Sequence, residues 1–157
     1  MARPRRLKVL SEGVQDAPGA RVAFATSDLK HVDQHFGSAA ALAVYVVSVE
    51  KSALIEVTRF DDHAQDGNED KLAAKMAVLE GCVAVYCQAV GSSAIAQMRA
   101  LGVQPIKVDP GAPIPRLLSE LRLELRDSPN GWLARAVSGL NKDPERFSAM
   151  AAETWNE

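Results

Sequence analysis

Histidine, cysteine and aromatic residues are scarce in this chain of 157 residues, which has three His, two Cys and 5% aromatics. Two cysteines cannot supply the four-thiolate set of a closed structural metal centre. An excess of positive charge is missing as well. Lys and Arg total 18 against 20 Asp and Glu, for a net charge of −2. That argues against a general nucleic-acid binder, whose phosphate contacts need a basic surplus. No apolar run reaches the ~18 residues of a membrane helix. The N-terminus, MARPRR, is basic but no apolar segment follows it, so it does not read as a secretory signal. Thiols without such a signal point to the reducing cytoplasm. The remainder is ordinary for a soluble globular domain: 47% hydrophobic and 24% charged residues. A chain of this length buries roughly 68–70% of its unfolded surface and folds without a staple. The expectation is a single folded unit acting as a monomer.

Residues 1–19 carry Pro4, Gly13, Pro18 and Gly19 among mixed charges and read as a flexible N-terminal tail, at most a short added strand. RVAFAT at 21–26 is a nearly continuous apolar run, as in a central strand covered on both faces. Residues 27–37 are polar and close on Gly37, a loop. LAVYVVSV (42–49) is a second strand. SALIEVTRF (52–60) alternates with a period of two, as a half-exposed edge strand in a hairpin would. The period then becomes helical. Asp66 and Glu69 fit a capping pattern, Leu72, Ala73, Met76 and Leu79 follow, and Gly81 stops the helix. CVAVYC (82–87) is a buried strand. Gly91-Ser92-Ser93 opens a second helix with Ala94, Ile95, Met98 and Leu101 on one face, ended by Gly102. Pro105 makes 103–108 an edge strand. A loop at 110–115 leads to a third helix marked by Leu117, Leu118, Leu121 and Leu125. After a break at 128–131, Trp132, Leu133, Ala136, Val137 and Leu140 form a helical stripe, and Asp143-Pro144 opens a last short helix through Trp155.

Helical crossovers demand parallel strand pairs and a hairpin demands an antiparallel one. The simplest assembly is an α/β, ribonuclease-H-like mixed five-stranded sheet of order 3-2-1-4-5 with helices on both faces. The domain reading is a tail at 1–19, a cofactor-binding α/β domain at 20–127 and a C-terminal helical extension at 128–157.

In open α/β sheets, ligands bind beyond the carboxyl ends of the strands where the strand order reverses. Here that point lies between 21–26 and 82–87. The loop after the first strand holds His31 and His35, and the other strand ends at Cys87. Two imidazoles and one thiol therefore meet at one rim, with Gly37 marking a turn or a close approach by a ligand. Cys82 is read at the far end of its strand, about 16 Å from Cys87 and on the opposite face, too far for a disulfide or a shared metal. It reads as core, and His63, beside Asp61 and Asp62, as a solvated loop residue. Iron–sulfur species take thiolate and imidazole ligands. They are anionic, so helix N-termini at 67–70 and at Ser92 help to hold them. One or two ligands would hold a cluster loosely enough to pass it on. The first strand contains no acid, which disfavours a two-metal nuclease. A Cys87–His35 nucleophile pair oriented by Asp33 is a further candidate. A docking face around Trp132, Leu133, Val137 and Phe147 is another, although apolar stripes usually face the core.

Several blocks carry a family resemblance. VAFATSD at 22–28 with VDQHFGS at 32–38 resembles the nitrogenase iron–molybdenum cofactor biosynthesis (NifX/NifY/NafY) family. AQDGNEDKLAAK at 64–75 and GCVAVYCQA at 81–89 look more narrowly like its NifX-like branch, and GVQPIKV at 102–108 extends the match. The resemblance implies a non-enzymatic cytoplasmic carrier of iron–sulfur precursors of the iron–molybdenum cofactor. Its cargo would be the NifB product cluster (NifB-co), exchanged with the NifEN scaffold, and relatives also bind the finished cofactor. The family's motif histidine corresponds to His35, the first choice of ligand, with Cys87 second. His31 lies outside the motif.

Overall fold

Every residue of β2 (Ala20–Thr26) except Arg21 is buried, which puts this strand at the centre of the molecule. A computed structural model describes residues 5–8, 19–60 and 68–140. The other elements are β1 (Arg5–Lys8), β3 (His31–Val32), β4 (Ala41–Val47), β5 (Ser52–Arg59), α1 (Asn68–Leu79), β6 (Ala84–Cys87), α2 (Ser92–Leu101), β7 (Gln104–Lys107), β8 (Ala112–Pro113), α3 (Ile114–Asp127) and α4 (Trp132–Leu140). The main sheet is mixed and runs β1-β5-β4-β2-β6-β7. β2 pairs antiparallel with β4 and parallel with β6, and β6 pairs parallel with β7.

Side chains alternate across the sheet, so successive residues of β2 serve two cores. Ala23 and Ala25 join Leu42, Val44, Val85 and Cys87 beneath α1 and α2. Val22 and Phe24 join Val47, Ala84 and Tyr86 beneath α3 and α4, through Leu117, Leu121 and Leu133. Phe24 stacks on Tyr86 with ring centroids 5.1 Å apart and meets Tyr45 edge-on at 5.5 Å. The π quadrupole favours both arrangements.

Three expectations change. The sheet has six strands, because β1 adds antiparallel to β5, pairing Leu7 with Val57. β5 is therefore interior, and its polar Glu56 and Thr58 are buried. Alternating polarity marks the two faces of a strand but not whether another chain segment covers its edge. The loops at 27–37 and 110–115 pair with each other as a two-stranded ribbon, β3 with β8. Cys82 precedes β6 in a turn, its N–H donating to the Leu79 carbonyl at 2.9 Å, and it shares the α1/α2 side with Cys87. Counting it as a strand residue put it on the wrong face. The stripe on α4 faces the core, as such stripes usually do: Leu133 is fully buried, Ala136 and Val137 pack against the same core, and Trp132 is exposed. His63, Asp66, Phe147 and the helix read at 143–155 lie outside the described residues.

Candidate functional site

β2 and β6 lie side by side and parallel, and the chain leaves their carboxyl ends in opposite directions. From Thr26 it passes through residues 27–40 to β4. From Cys87 it passes through residues 88–91 to α2. The crevice between these exits is the rim.

Local polar contacts build the first exit. The Thr26 hydroxyl accepts the Leu29 N–H at 3.0 Å, and Leu29 takes a left-handed φ of 64°. Asp28 Oδ1 accepts the backbone N–H groups of Lys30 (2.8 Å) and His31 (2.9 Å). Asp28 Oδ2 faces His31 Nδ1 at 2.8 Å. These bonds hold the Asp28 carboxyl well below the usual carboxylate range, His31 contributing most. The Asp33 carboxylate accepts both the N–H and the hydroxyl of Ser27. The ribbon then fixes His31 from outside: the Ile114 N–H donates to the Lys30 carbonyl at 2.9 Å, and the Gly111 N–H to that of Val32 at 3.1 Å.

Further along, the loop straddles the end of the sheet. Val32 plugs the α3/α4 core and Phe36 the α1/α2 core, both fully buried. Between these anchors the Gln88 N–H donates to the Gln34 carbonyl at 2.9 Å, and the Phe36 N–H to that of Ala89 at 2.8 Å. His35 is held between those two bonds, and its side chain is exposed. The buried Lys75 donates from Nζ to the Gly37 carbonyl at 2.6 Å and lies 5.1 Å from the Phe60 ring centroid.

The expected site residues therefore separate. His35 and His31 are both presented on the rim, the His31 side chain 44% exposed. Ser92 is exposed in the first turn of α2, whose N-cap, Gly91, offers no side-chain bond. Cys87 is close to His35 along the chain pairing but is fully buried, and burial pushes its thiol up to about 11. Cys82 is buried too, its thiol pushed up to about 12, with Sγ 3.8 Å from the Val78 carbonyl. Gly37 needs no glycine for conformation, since its φ is not left-handed and a Cβ there would meet nothing. It serves instead through its carbonyl. The Cys87–His35–Asp33 nucleophile set is not assembled, because the thiol is buried and protonated and Asp33 is committed to Ser27. Among the described residues, no three His, Cys, Asp or Glu side chains are grouped to hold a metal ion. A groove of about 300 Å³ between α2 and β7 is lined by Arg99, in the last turn of α2, and by Lys107, at the carboxyl end of β7.

Sequence reasoning missed Asp28, Leu29 and Lys75. The signal for Asp28 was available: Thr and Asp just past a strand end build side-chain-to-backbone turns. Nothing local marks Lys75, which lies 38 positions from its partner.

An open α/β sheet with a pinned loop at its switch point belongs, as a class, to the ligand-binding α/β domains. A family model described as "Dinitrogenase iron-molybdenum cofactor" matches residues 19–123. Protein NifX of Azotobacter vinelandii is 50% identical over 158 residues, covering 100% of both chains. Protein NifX of Klebsiella pneumoniae is 35% identical over 134 residues, covering 85% of this chain and 81% of its own. The crystal structure of PH0822 shares the fold at a TM-score of 0.50 and 18% identity, covering 65% of this chain and 89% of that one. The chain belongs to the dinitrogenase iron–molybdenum cofactor family, together with the NifX proteins. The NifX family is involved in nitrogen fixation, in the biosynthesis of that cofactor.

Proposed function

We propose that this chain is a non-enzymatic cytoplasmic carrier built on a ribonuclease-H-like frame and working as a monomer. Its cargo is an iron–sulfur precursor of the iron–molybdenum cofactor, the NifB product cluster, which it exchanges with the NifEN scaffold. The observation that carries this reading is His35: an exposed imidazole in the VDQHFGS block, clamped by backbone bonds on both sides at the switch point. A soft anionic cluster suits such a site. Imidazole ligates iron, and the N-terminus of α2 and Lys107, at the carboxyl end of β7, supply positive potential. The scarcity of other ligands on the rim leaves the cargo free to move on. His35 is the first protein ligand. Cys87 joins only if Phe36 and the 34–36 segment lift from the core, since the thiol is otherwise closed off.

The test mixes purified protein anaerobically with the NifB product and measures iron retained after desalting. Wild type retains iron and His35→Ala does not. Equal retention by the two proteins removes His35 as the ligand, and no retention by wild type removes the carrier reading. Acidification protonates imidazole and so weakens retention.

A further inference from the structure

We propose that Asp28 is a positioning residue that makes His31 a second nitrogen donor to the cargo on the same rim. The inference rests on the carrier reading and extends it to His31, which lies outside the family's histidine motif.

The two carboxylate oxygens of Asp28 do different jobs. Oδ1 builds the turn, accepting the N–H groups of Lys30 and His31 and the Thr26 hydroxyl, the last at 3.2 Å. A turn needs no more than that. Oδ2 faces His31 Nδ1 at 2.8 Å. An ionised carboxylate only accepts hydrogen bonds, so Nδ1 carries the proton. In the neutral ring the lone pair is then on Nε2, the nitrogen on the far side from Asp28. A carboxylate behind one ring nitrogen, with the metal on the other, is the usual arrangement around a ligating histidine. It fixes the tautomer and raises the basicity of the donor. The backbone is fixed as well: β3 pairs with β8, and the Lys30 carbonyl on one side of His31 and the Val32 carbonyl on the other are both tied to the β8 region. The ring is thus oriented before any cargo arrives, and its side chain is 44% exposed. His35 lies four positions further along the same pinned loop. A cluster resting on the rim can then be held by the preset His31 ring and by His35, whose backbone is clamped, without any thiolate.

Asp28→Asn separates the two jobs. The amide keeps an oxygen for the turn but places an NH₂ against His31. The NH₂ donates to Nδ1 and moves the ring proton to Nε2, where it blocks ligation. Long-range ¹H–¹⁵N correlation of the imidazoles, in cargo-free protein at mildly alkaline pH, reads the tautomer directly. Wild type shows His31 protonated at Nδ1, and Asp28→Asn shows it protonated at Nε2, with the Lys30 and His31 amide signals in place. Uptake of the NifB product by Asp28→Asn falls about 10- to 100-fold in affinity, the usual effect of losing a partner behind a metal ligand. His31→Gln reproduces that loss, and the double variant adds little to it. Wild-type His31 protonated at Nε2, or undiminished uptake by Asp28→Asn, overturns the proposal. If His35→Ala abolishes uptake while Asp28→Asn leaves it intact, the carrier reading stands and this inference falls. If wild type takes up nothing, both fall.

Discussion

His35 is exposed, and Cys87, which precedes the Gln88 and Ala89 that bond to the His35 loop, is sealed in the α1/α2 core. The nucleophile and metal-ligating form of cysteine is the thiolate, and burial holds the Cys87 thiol at about 11 and that of Cys82 at about 12. Native protein treated with iodoacetamide at neutral pH is therefore expected to leave both unmodified, by mass, until denaturant is added. Rapid modification of Cys87 in the native state would show that the rim opens on its own. Asp28 allows a test in acid. Its carboxyl is held low by His31 and by the N–H groups of Lys30 and His31, so the fold favours the ionised form. That contribution is complete above the unfolded value of about 3.9 and is lost as pH falls through the depressed folded value. A carboxyl ¹³C NMR titration should show Asp28 still ionised after ordinary exposed carboxyls have protonated. A midpoint in the ordinary range contradicts the hydrogen-bond geometry. At this scale the sequence was legible where topology alone decides: the order of elements brings His35 and Cys87 to one crevice. It did not show that Cys87 points inward, because the last residue of a strand can face either side, and register with neighbours sets which.

The loop at 27–40 behaves as an element, although half of its order comes from outside it. Val32 and Phe36 anchor it in two different cores, and β8, residues 88–89 and Lys75 hold it from three directions. Phe36 is fully buried, and removing such a ring from a core costs about 3–5 kcal/mol. Phe36→Ala is accordingly expected to lower urea-unfolding stability by about that amount and to speed amide exchange at 34–36. A loss below about 1 kcal/mol would mean that the loop is not anchored where the geometry places the ring. The long periodic elements were readable from their apolar spacing, as α2 shows with Ala94 and Met98 buried at i and i+4. The β3–β8 ribbon was not readable. Two residues per strand are too few for a period, and the pairing is set by where β7 delivers the chain. β1 was legible only as a short strand that the tail could add, and not where it would pair, since its partner β5 displays the same alternation whether its edge is bare or covered.

Across the whole molecule, a near-neutral chain with few soft ligands uses a doubly covered sheet to hold one loop still. The count of three His and two Cys reduces, on the described rim, to two exposed imidazoles, with both thiols withdrawn. A protein that stores a cluster needs many ligands, and a protein that passes one on needs few. The proposed transfer is tested most directly by loading the chain with isotopically labelled iron as the NifB product and mixing it anaerobically with empty NifEN. The label in each protein is then followed over time after rapid separation. Label is expected to leave this chain and accumulate on NifEN. Label that stays with this chain while NifEN remains empty would rule transfer out.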